Sequence, residues 1–559
     1  MKFPKLDELN TGKYFMIFVL IGFLVFGNVL FNQFVWDDQY QPIGNSSLSI
    51  SQNLHNIFFS NKTQDFHYRP LFFSYLYLLN VIFGPNPLIF HFLQLIFHFL
   101  NVFFIFLLFS LFFRRQIAFL LSLIFLVHPI NIEAVSYISS TADTLFFLLG
   151  IIGLRISLAD HLTRAKLITI TVLLFFSLLF KENGIFFVIT IPLLRLLFKP
   201  TELKKLLISA TVPLGSYLIL RLEIVHTFIT KSVFSPIMQL SLPVRILSIP
   251  KIILYYFTTA VYPSRLAISQ KWTVLAVNVQ NFYVPLFLDC LVFFLIFVLG
   301  FVLYQKSKDA AIIFTFFFIW FLIGLGAHLQ FIPLDMTVAD RWFYFSLVGL
   351  LGMLGAAISI IKSASLLRII YIMAIGILII FSLRTFVRNQ NWKNNASLFS
   401  HDIKYVTDSY DIESNYGVVL MTSQRNDEAE IHFKKAIALE PKSSASWYDL
   451  GIIYLKKNDI QNAKASFYKS IEYDPTRFEA YEYLATLLLK NASHQETLGF
   501  SRKSVQLFAK DAYLWKDLAI AEFNFGNHQK ALEAAKQVYE LSPNQDSLNL
   551  LNAISNQNK

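Results

Sequence analysis

One cysteine, Cys290, stands among 559 residues, so no internal disulfide can form. It lies inside an apolar run and carries no information about compartment. Charge is scarce as well: Asp, Glu, Lys and Arg make up 15% of the chain against 55% hydrophobic residues, and phenylalanine alone occurs 60 times. A phosphate-cradling glycine loop, a zinc-ligand spacing and a nucleophile elbow are all missing. Any chemistry must therefore rest on carboxylates and cations. The formal charge of +11 could point to nucleic acid. Many of the basic residues instead sit in short loops between apolar runs, where membrane topology accounts for them, so no nucleic-acid partner is expected.

What is present divides the chain in two. Apolar runs dominate up to about residue 390, and beyond it the text turns rich in Lys, Glu, Asp and Asn with helical spacing. A spanning helix needs about 20 mostly apolar residues. Eleven stretches are read as spans: 14–34, 88–113, 116–130, 143–160, 166–180, 183–198, 204–222, 285–304, 310–328, 343–361 and 366–384. Two shorter ones, 71–83 and 252–262, are bounded by Gly84-Pro85 and Pro263 and read as helices lying in the interface. Lys2, Lys5, Lys13, Arg114-Arg115, Arg164, Lys166, Lys199, Lys204-Lys205, Lys306, Lys308, Lys362 and Arg368 then fall on one side, the cytoplasmic one. An odd number of spans places everything after residue 384 on the opposite side. The expectation is an integral protein of the inner or plasma membrane with its C-terminal half outside the cytoplasm.

That C-terminal half repeats itself. Pro441, Pro475 and Pro543 recur at steps of 34 and 68, with Ala509 in the vacant slot. Gly417, Gly451, Ala485 and Ala519 keep the same step, as do Ala429, Ala463, Thr497 and Ala531, and Trp447, Tyr481 and Trp515. This period, with two small positions and a closing proline, is the signature of tetratricopeptide repeats, about four of them over 410–543. Small residues let paired antiparallel helices approach closely. Nothing in the repeats has catalytic spacing.

Ionisable groups at membrane depth cost about 2.5–3.5 kcal/mol each at a helix centre. Those the membrane half retains gather, on this topology, at its outer side. They are Asp37-Asp38, His67-Tyr68-Arg69-Pro70, His128, Glu133, Asp143, Lys181-Glu182, Asp335 and Asp340-Arg341. Each also has a plainer reading: Asp38 as a helix cap, Arg69 as an interfacial anchor, Lys181–Glu182 as an ion pair at a helix end. His91 and His98 lie two helical turns apart, too far for one metal ion, and read as packing or cross-helix hydrogen bonding. Asn45, Asn61 and Asn491 begin glycosylation-acceptor triplets, a frequent chance match. The mixture suits transfer from a lipid phosphate, whose leaving charge needs Lys or Arg, to a hydroxyl whose proton a carboxylate takes.

The same residues carry a resemblance. "VWDD", "HYRPL" followed by "FHFLQLIFHFLN", "HPINIEAVSYISSTAD", "KENG", "ADRWFYF" and "LRTFVRNQNW" resemble, in order, the motifs of the transmembrane-and-tetratricopeptide-repeat proteins. Those belong to the GT-C glycosyltransferase superfamily and are related to protein O-mannosyltransferases. The resemblance covers nearly the whole chain. It implies an all-α fold: a polytopic membrane glycosyltransferase domain over 1–391, a linker at 392–409 and a repeat domain over 410–559. It further implies a polyprenyl- or dolichyl-phosphate sugar as donor, inversion at the sugar, and an active site on the non-cytoplasmic face. Carried over by motif, Asp37 or Asp38 is the catalytic base, with Asp38 preferred. Arg69, Lys181 and Arg341 serve the lipid phosphate. Glu133 and Asp143 shape the sugar site, and Glu182 joins them on the donor side. The pattern departs at Thr141, where the family commonly carries an arginine two residues before the aspartate. Adjacent carboxylates can bind a divalent ion, but the resemblance implies no metal, and no cofactor beyond the lipid-linked sugar as substrate. The acceptor would be a protein or glycan hydroxyl. The alternatives are an oligosaccharide ligase or other lipid- or glycan-modifying transferase, and a non-catalytic scaffold using its repeats to bind proteins.

Overall fold

Helices account for every regular element among the described residues of the computed structural model, which are 11–40, 48–60, 67–226, 235–406 and 408–556. The acceptor triplets at Asn45 and Asn61 and the cations Lys2 and Lys5 lie outside them. The chain forms two compact units, Met1–Thr407 and Asp408–Lys559.

Among the described residues of the first unit, nine helical segments are long and apolar enough to cross a membrane, or ten if the bent pair Arg115–Val127 and Pro129–Ser136 counts as one span. The helices of the unit include Thr11–Phe26, Pro87–Phe112, Arg115–Val127, Thr141–Ser157, Arg164–Phe180, Ile185–Phe198, Leu203–Val225, Val284–Lys306, Lys308–Gly326, Phe343–Ser359 and Ala364–Asn391. Arg164–Phe180 and Ile185–Phe198, with 17 and 14 residues, are among the shorter of these. Leu242–Val261 has the length and composition of a span yet lies across one end. Arg245 near its start donates to the carbonyls of Gln330 and Phe331, and His128 donates to the Ala260 carbonyl near its finish. Gln330, Phe331 and His128 all belong to loops at the same end, so the segment does not traverse the unit. The opposite end holds Arg114, Arg115, Arg164, Lys166, Lys199, Lys204, Lys205, Lys306, Lys308 and Lys362.

Burial sorts the helices into an inner and an outer set. Pro87–Phe112, Ile138–Ser157 and Asp340–Ser359 are 72%, 78% and 78% buried, whereas Val279–Lys306 and Ala364–Asn391 are 11% buried and present apolar side chains outward. The inner set is cemented by aromatic rings: Trp320 stacks on Phe345 at 4.7 Å, and Phe125 and Phe147 meet Tyr344 edge to face. His98 lies there too, accepting from the Tyr344 hydroxyl at 2.8 Å and donating to the Leu126 carbonyl. It is a cross-helix hydrogen-bonding histidine, as its spacing suggested.

The second unit is a tetratricopeptide solenoid, built from Tyr410–Thr422 and Asn426–Leu439, Ser444–Lys456 and Ile460–Tyr473, Phe478–Asn491 and His494–Leu507, Ala512–Asn524 and His528–Leu541, and closed by Gln545–Asn556. The periodic small residues have the contact that requires them. A Cβ on Gly417 would lie 2.7 Å from the Phe433 ring, and one on Gly451 equally close to Phe467. The Trp447 and Trp515 indoles donate to the carbonyls of Pro441 and Ala509, so the slot that lost its proline keeps its bond.

Candidate active site

The first loop turns its two acids in different directions. Trp36 adopts φ 51°, a left-handed conformation rarely taken by a bulky side chain. Its amide donates to the Asn395 side chain at 2.8 Å, which holds the turn. Asp38 is buried, and its Oδ1 accepts from both the amide and the hydroxyl of Ser139, at 2.8 and 2.6 Å. Burial pushes its carboxyl up to about 7 despite those two donors. Asp37 is exposed and accepts from the Tyr137 hydroxyl at 2.9 Å. Tyr137 in turn lies between two indoles, stacked on Trp36 at 5.3 Å and tilted against Trp392 at 5.6 Å.

Three cations converge on the same end, each with a carboxylate from a distant loop. Arg69 binds Glu182 through two parallel bonds, one of 2.8 Å. Lys181 donates to both oxygens of Asp143, at 2.6 and 2.7 Å, with the two side chains only 5% and 3% exposed. Arg341 binds Glu133 with its guanidinium and again with its amide, the latter at 3.1 Å. Lys181 and Glu182 are thus neighbours in sequence and partners of different residues. Lys181 is extended (φ −159°, ψ 139°) where one helix ends, so its side chain and the next diverge. The turn is tight: a Cβ on Gly184 would lie 2.7 Å from the Leu178 backbone nitrogen, which explains the glycine of "KENG". Burial alone would raise Glu182, but the Arg69 guanidinium prevails and holds it well below the usual carboxylate range. Burial draws the Lys181 ammonium down, with Asp143 opposing.

The structure adds residues that the sequence reading did not single out. The Tyr255 hydroxyl donates to Asp340 at 2.5 Å and accepts from Gln270. Ser136 donates to Asn389 at 2.7 Å, and the Gln33 amide donates to the Lys393 carbonyl at 2.9 Å. The stretch expected as linker therefore packs on the first unit, where it forms the helix Asn395–Asp402, and Arg388 pairs with the buried Asp402. Thr141, in the place of the expected arginine, is buried with its hydroxyl on the Ile138 carbonyl. Among the described residues, no three His, Cys, Asp or Glu side chains gather as metal ligands would.

Comparison with known proteins follows the same division. A tetratricopeptide-repeat family model matches residues 432–465. Protein O-mannosyl-transferase TMTC3 of Mus musculus is 23% identical over 613 aligned residues, covering 97% of this chain. Its Homo sapiens counterpart is 24% identical over 597, covering 93%. The chain is thus similar to these two proteins over nearly its whole length. It spans 65% and 63% of the length of those two curated proteins. Among solved structures, YrrB, a TPR protein with an unusual peptide-binding site, is 20% identical with a TM-score of 0.27, over 29% of this chain and 83% of its own.

Proposed function

We propose that this protein is a GT-C-type glycosyltransferase that moves a sugar, of which mannose is the first to test, from a polyprenyl-phosphate donor to an acceptor hydroxyl, with inversion. One observation carries the reading. Two adjacent acids and three carboxylate-held cations, drawn from four loops, meet at one end of the helical unit. Arg69, Lys181 and Arg341 supply the positive field for the lipid phosphate, and their carboxylate partners fix where that field points. The acceptor oxygen attacks the anomeric carbon, the sugar–phosphate bond breaks, and its electron pair leaves with the lipid phosphate. The acceptor proton passes to a first-loop carboxylate. Asp37 is better placed than Asp38 for that task, because Asp37 is exposed whereas Asp38 is buried and anchored on Ser139. This reverses the preference drawn from sequence.

The cations at the opposite end support a site on the non-cytoplasmic face. The same charge bias supports repeats outside the cytoplasm, where their role would be to bind an acceptor protein. The test is transfer in membranes containing the full chain, supplied with dolichyl-phosphate mannose and a Ser/Thr-rich acceptor protein and read by mass spectrometry. Acceptor mass should rise by one hexose with the wild type and not with Asp37→Asn. Equal transfer by both removes the first-loop acids from the mechanism.

A further inference from the structure

His328 lies in the loop after Lys308–Gly326, and neither its spacing nor any motif marks it. It is 4% exposed. Its Nδ1 donates to the Gly324 carbonyl at 2.7 Å, satisfying one of the acceptors that a helix end leaves open. That bond fixes the tautomer: Nδ1 carries the proton, and Nε2 is left with a lone pair. The ring lies flat on Trp342, 4.9 Å away and 14° from parallel, and Phe186 meets it edge-on at 6.0 Å. Trp342 follows Arg341, and Phe186 stands just beyond the Lys181–Gly184 turn, so both walls of the imidazole slot come from segments that supply the cations.

We propose that His328 Nε2 accepts a hydrogen bond from a hydroxyl of the donor's sugar, making His328 a specificity-determining residue of the donor pocket. The inference rests on the donor reading above. A histidine that only capped the helix and filled the slot would need Nδ1 and a flat ring, and nothing at Nε2. Placed among the phosphate-directed cations, Nε2 meets a donor with two kinds of polar group. A phosphate dianion or diester has no proton to give it, whereas the adjoining sugar is covered in hydroxyls that do. The imidazole must stay neutral to accept. Burial holds it down to about 3, with Lys181 and Arg341 adding to that and Glu182 opposing. An acceptor of this kind discriminates by position, because a sugar lacking the matching hydroxyl cannot make the bond to Nε2.

Two substitutions separate this role from a structural one. In His328→Asn the amide sits where Nδ1 was and keeps the bond to Gly324, while the acceptor at Nε2 is gone. In His328→Gln the amide oxygen reaches the Nε2 position and the Gly324 bond is lost. Full-length protein in membranes is assayed with dolichyl-phosphate mannose and its monodeoxy analogues. His328→Asn should raise KM by on the order of 10-fold, the worth of one hydrogen bond, and His328→Gln should recover most of it. One monodeoxy donor should be as poor for the wild type as intact donor is for His328→Asn, which should itself be indifferent to that hydroxyl. The reverse order, with Asn active and Gln impaired, makes His328 a helix cap and overturns the proposal. If the variants fail to reach the membrane, the wild-type deoxy series decides: no single hydroxyl worth more than about threefold overturns it. Wild-type silence with every lipid-linked sugar overturns the donor reading and this inference with it.

Discussion

Lys181 and Asp143 form the most deeply enclosed of the three pairs at the candidate site, and their removal should be unequal. Breaking a buried ion pair by deleting one partner costs about 3–5 kcal/mol, because the survivor is left uncompensated. The surroundings tilt that range. Lys181 also feels Arg69 and Arg341, both of which oppose its charge. Asp143→Asn therefore leaves Lys181 facing two further cations with only Glu182 to offset them, and belongs at the upper end, about 5 kcal/mol. Lys181→Met leaves Asp143 near those same cations, each of which it favours, and belongs at or below about 3 kcal/mol. The double variant Asp143→Asn/Lys181→Met leaves neither charge uncompensated, so it should be at least as stable as Asp143→Asn alone. Reversible unfolding of the membrane unit in mixed micelles, followed by tryptophan fluorescence, gives the four corners of the cycle. With single losses of about 5 and about 3 kcal/mol, a coupling of at least about 3 kcal/mol is expected. A coupling below about 0.5 kcal/mol, or a Lys181→Met that is the more damaging single change, refutes the electrostatic reasoning. The double variant should nevertheless fail to use a lipid-linked donor, which separates the role of Lys181 in stability from the one proposed for it at the phosphate.

Asp37→Asn should lower transfer by about 10²–10⁴-fold, and Asp38→Asn by less, at matched protein levels in membranes; equal losses would contradict the division of labour between them. The folded state holds the Asp38 proton up to about pH 7, against 3.8 for a free carboxyl. The stability it contributes is therefore complete below that lower value and lost as pH climbs through 7. A fall in Tm between pH 5 and 8 that Asp38→Asn abolishes would show this. The repeats, expressed from Asp408 onward, should be soluble and helical by circular dichroism. In that fragment Gly451→Val should lower stability by about 1–3 kcal/mol, because a side chain there meets the Phe467 ring. A reporter active only in the cytoplasm, fused at Lys559, should be silent; a signal would put the repeats on the other side.

The parts of this protein that sequence reveals are those written in a single stretch of chain. The step of 34 prints Gly417, Gly451, Ala429 and Ala463 directly, because each helix pair meets the same close approach. Most span positions also come through, since bilayer depth acts on every residue of a helix alike. The helices at 166–180 and 183–198 are shorter than a span, and 252–262 belongs to the span-length segment Leu242–Val261. The gathering of Asp37, Arg69, Glu133, Asp143, Lys181 and Arg341 follows from topology alone. The pairing does not. Adjacent Lys181 and Glu182 look like partners, but a change of backbone direction at a helix end sends them to Asp143 and Arg69. Which first-loop acid faces outward depends in the same way on the Trp36 turn and on Ser139, a hundred residues away. Tyr255 and His328 reach the site from segments with no motif, and their contribution exists only once those segments are folded against it.

The bonds from Gln33 to Lys393 and from Trp36 to Asn395, with Tyr137 held between Trp36 and Trp392, close the membrane unit on itself. This decides where a chimaera can be joined. The last long helix ends at Asn391, and a designer reading hydropathy alone would cut there. Such a cut discards Trp392, Lys393 and Asn395 together with Asp402, the partner of Arg388, and removes the wall against which the first loop is moulded. The seam for exchanging one repeat array for another falls instead after Val406, at the boundary between the two compact units, where all of these bonds are kept.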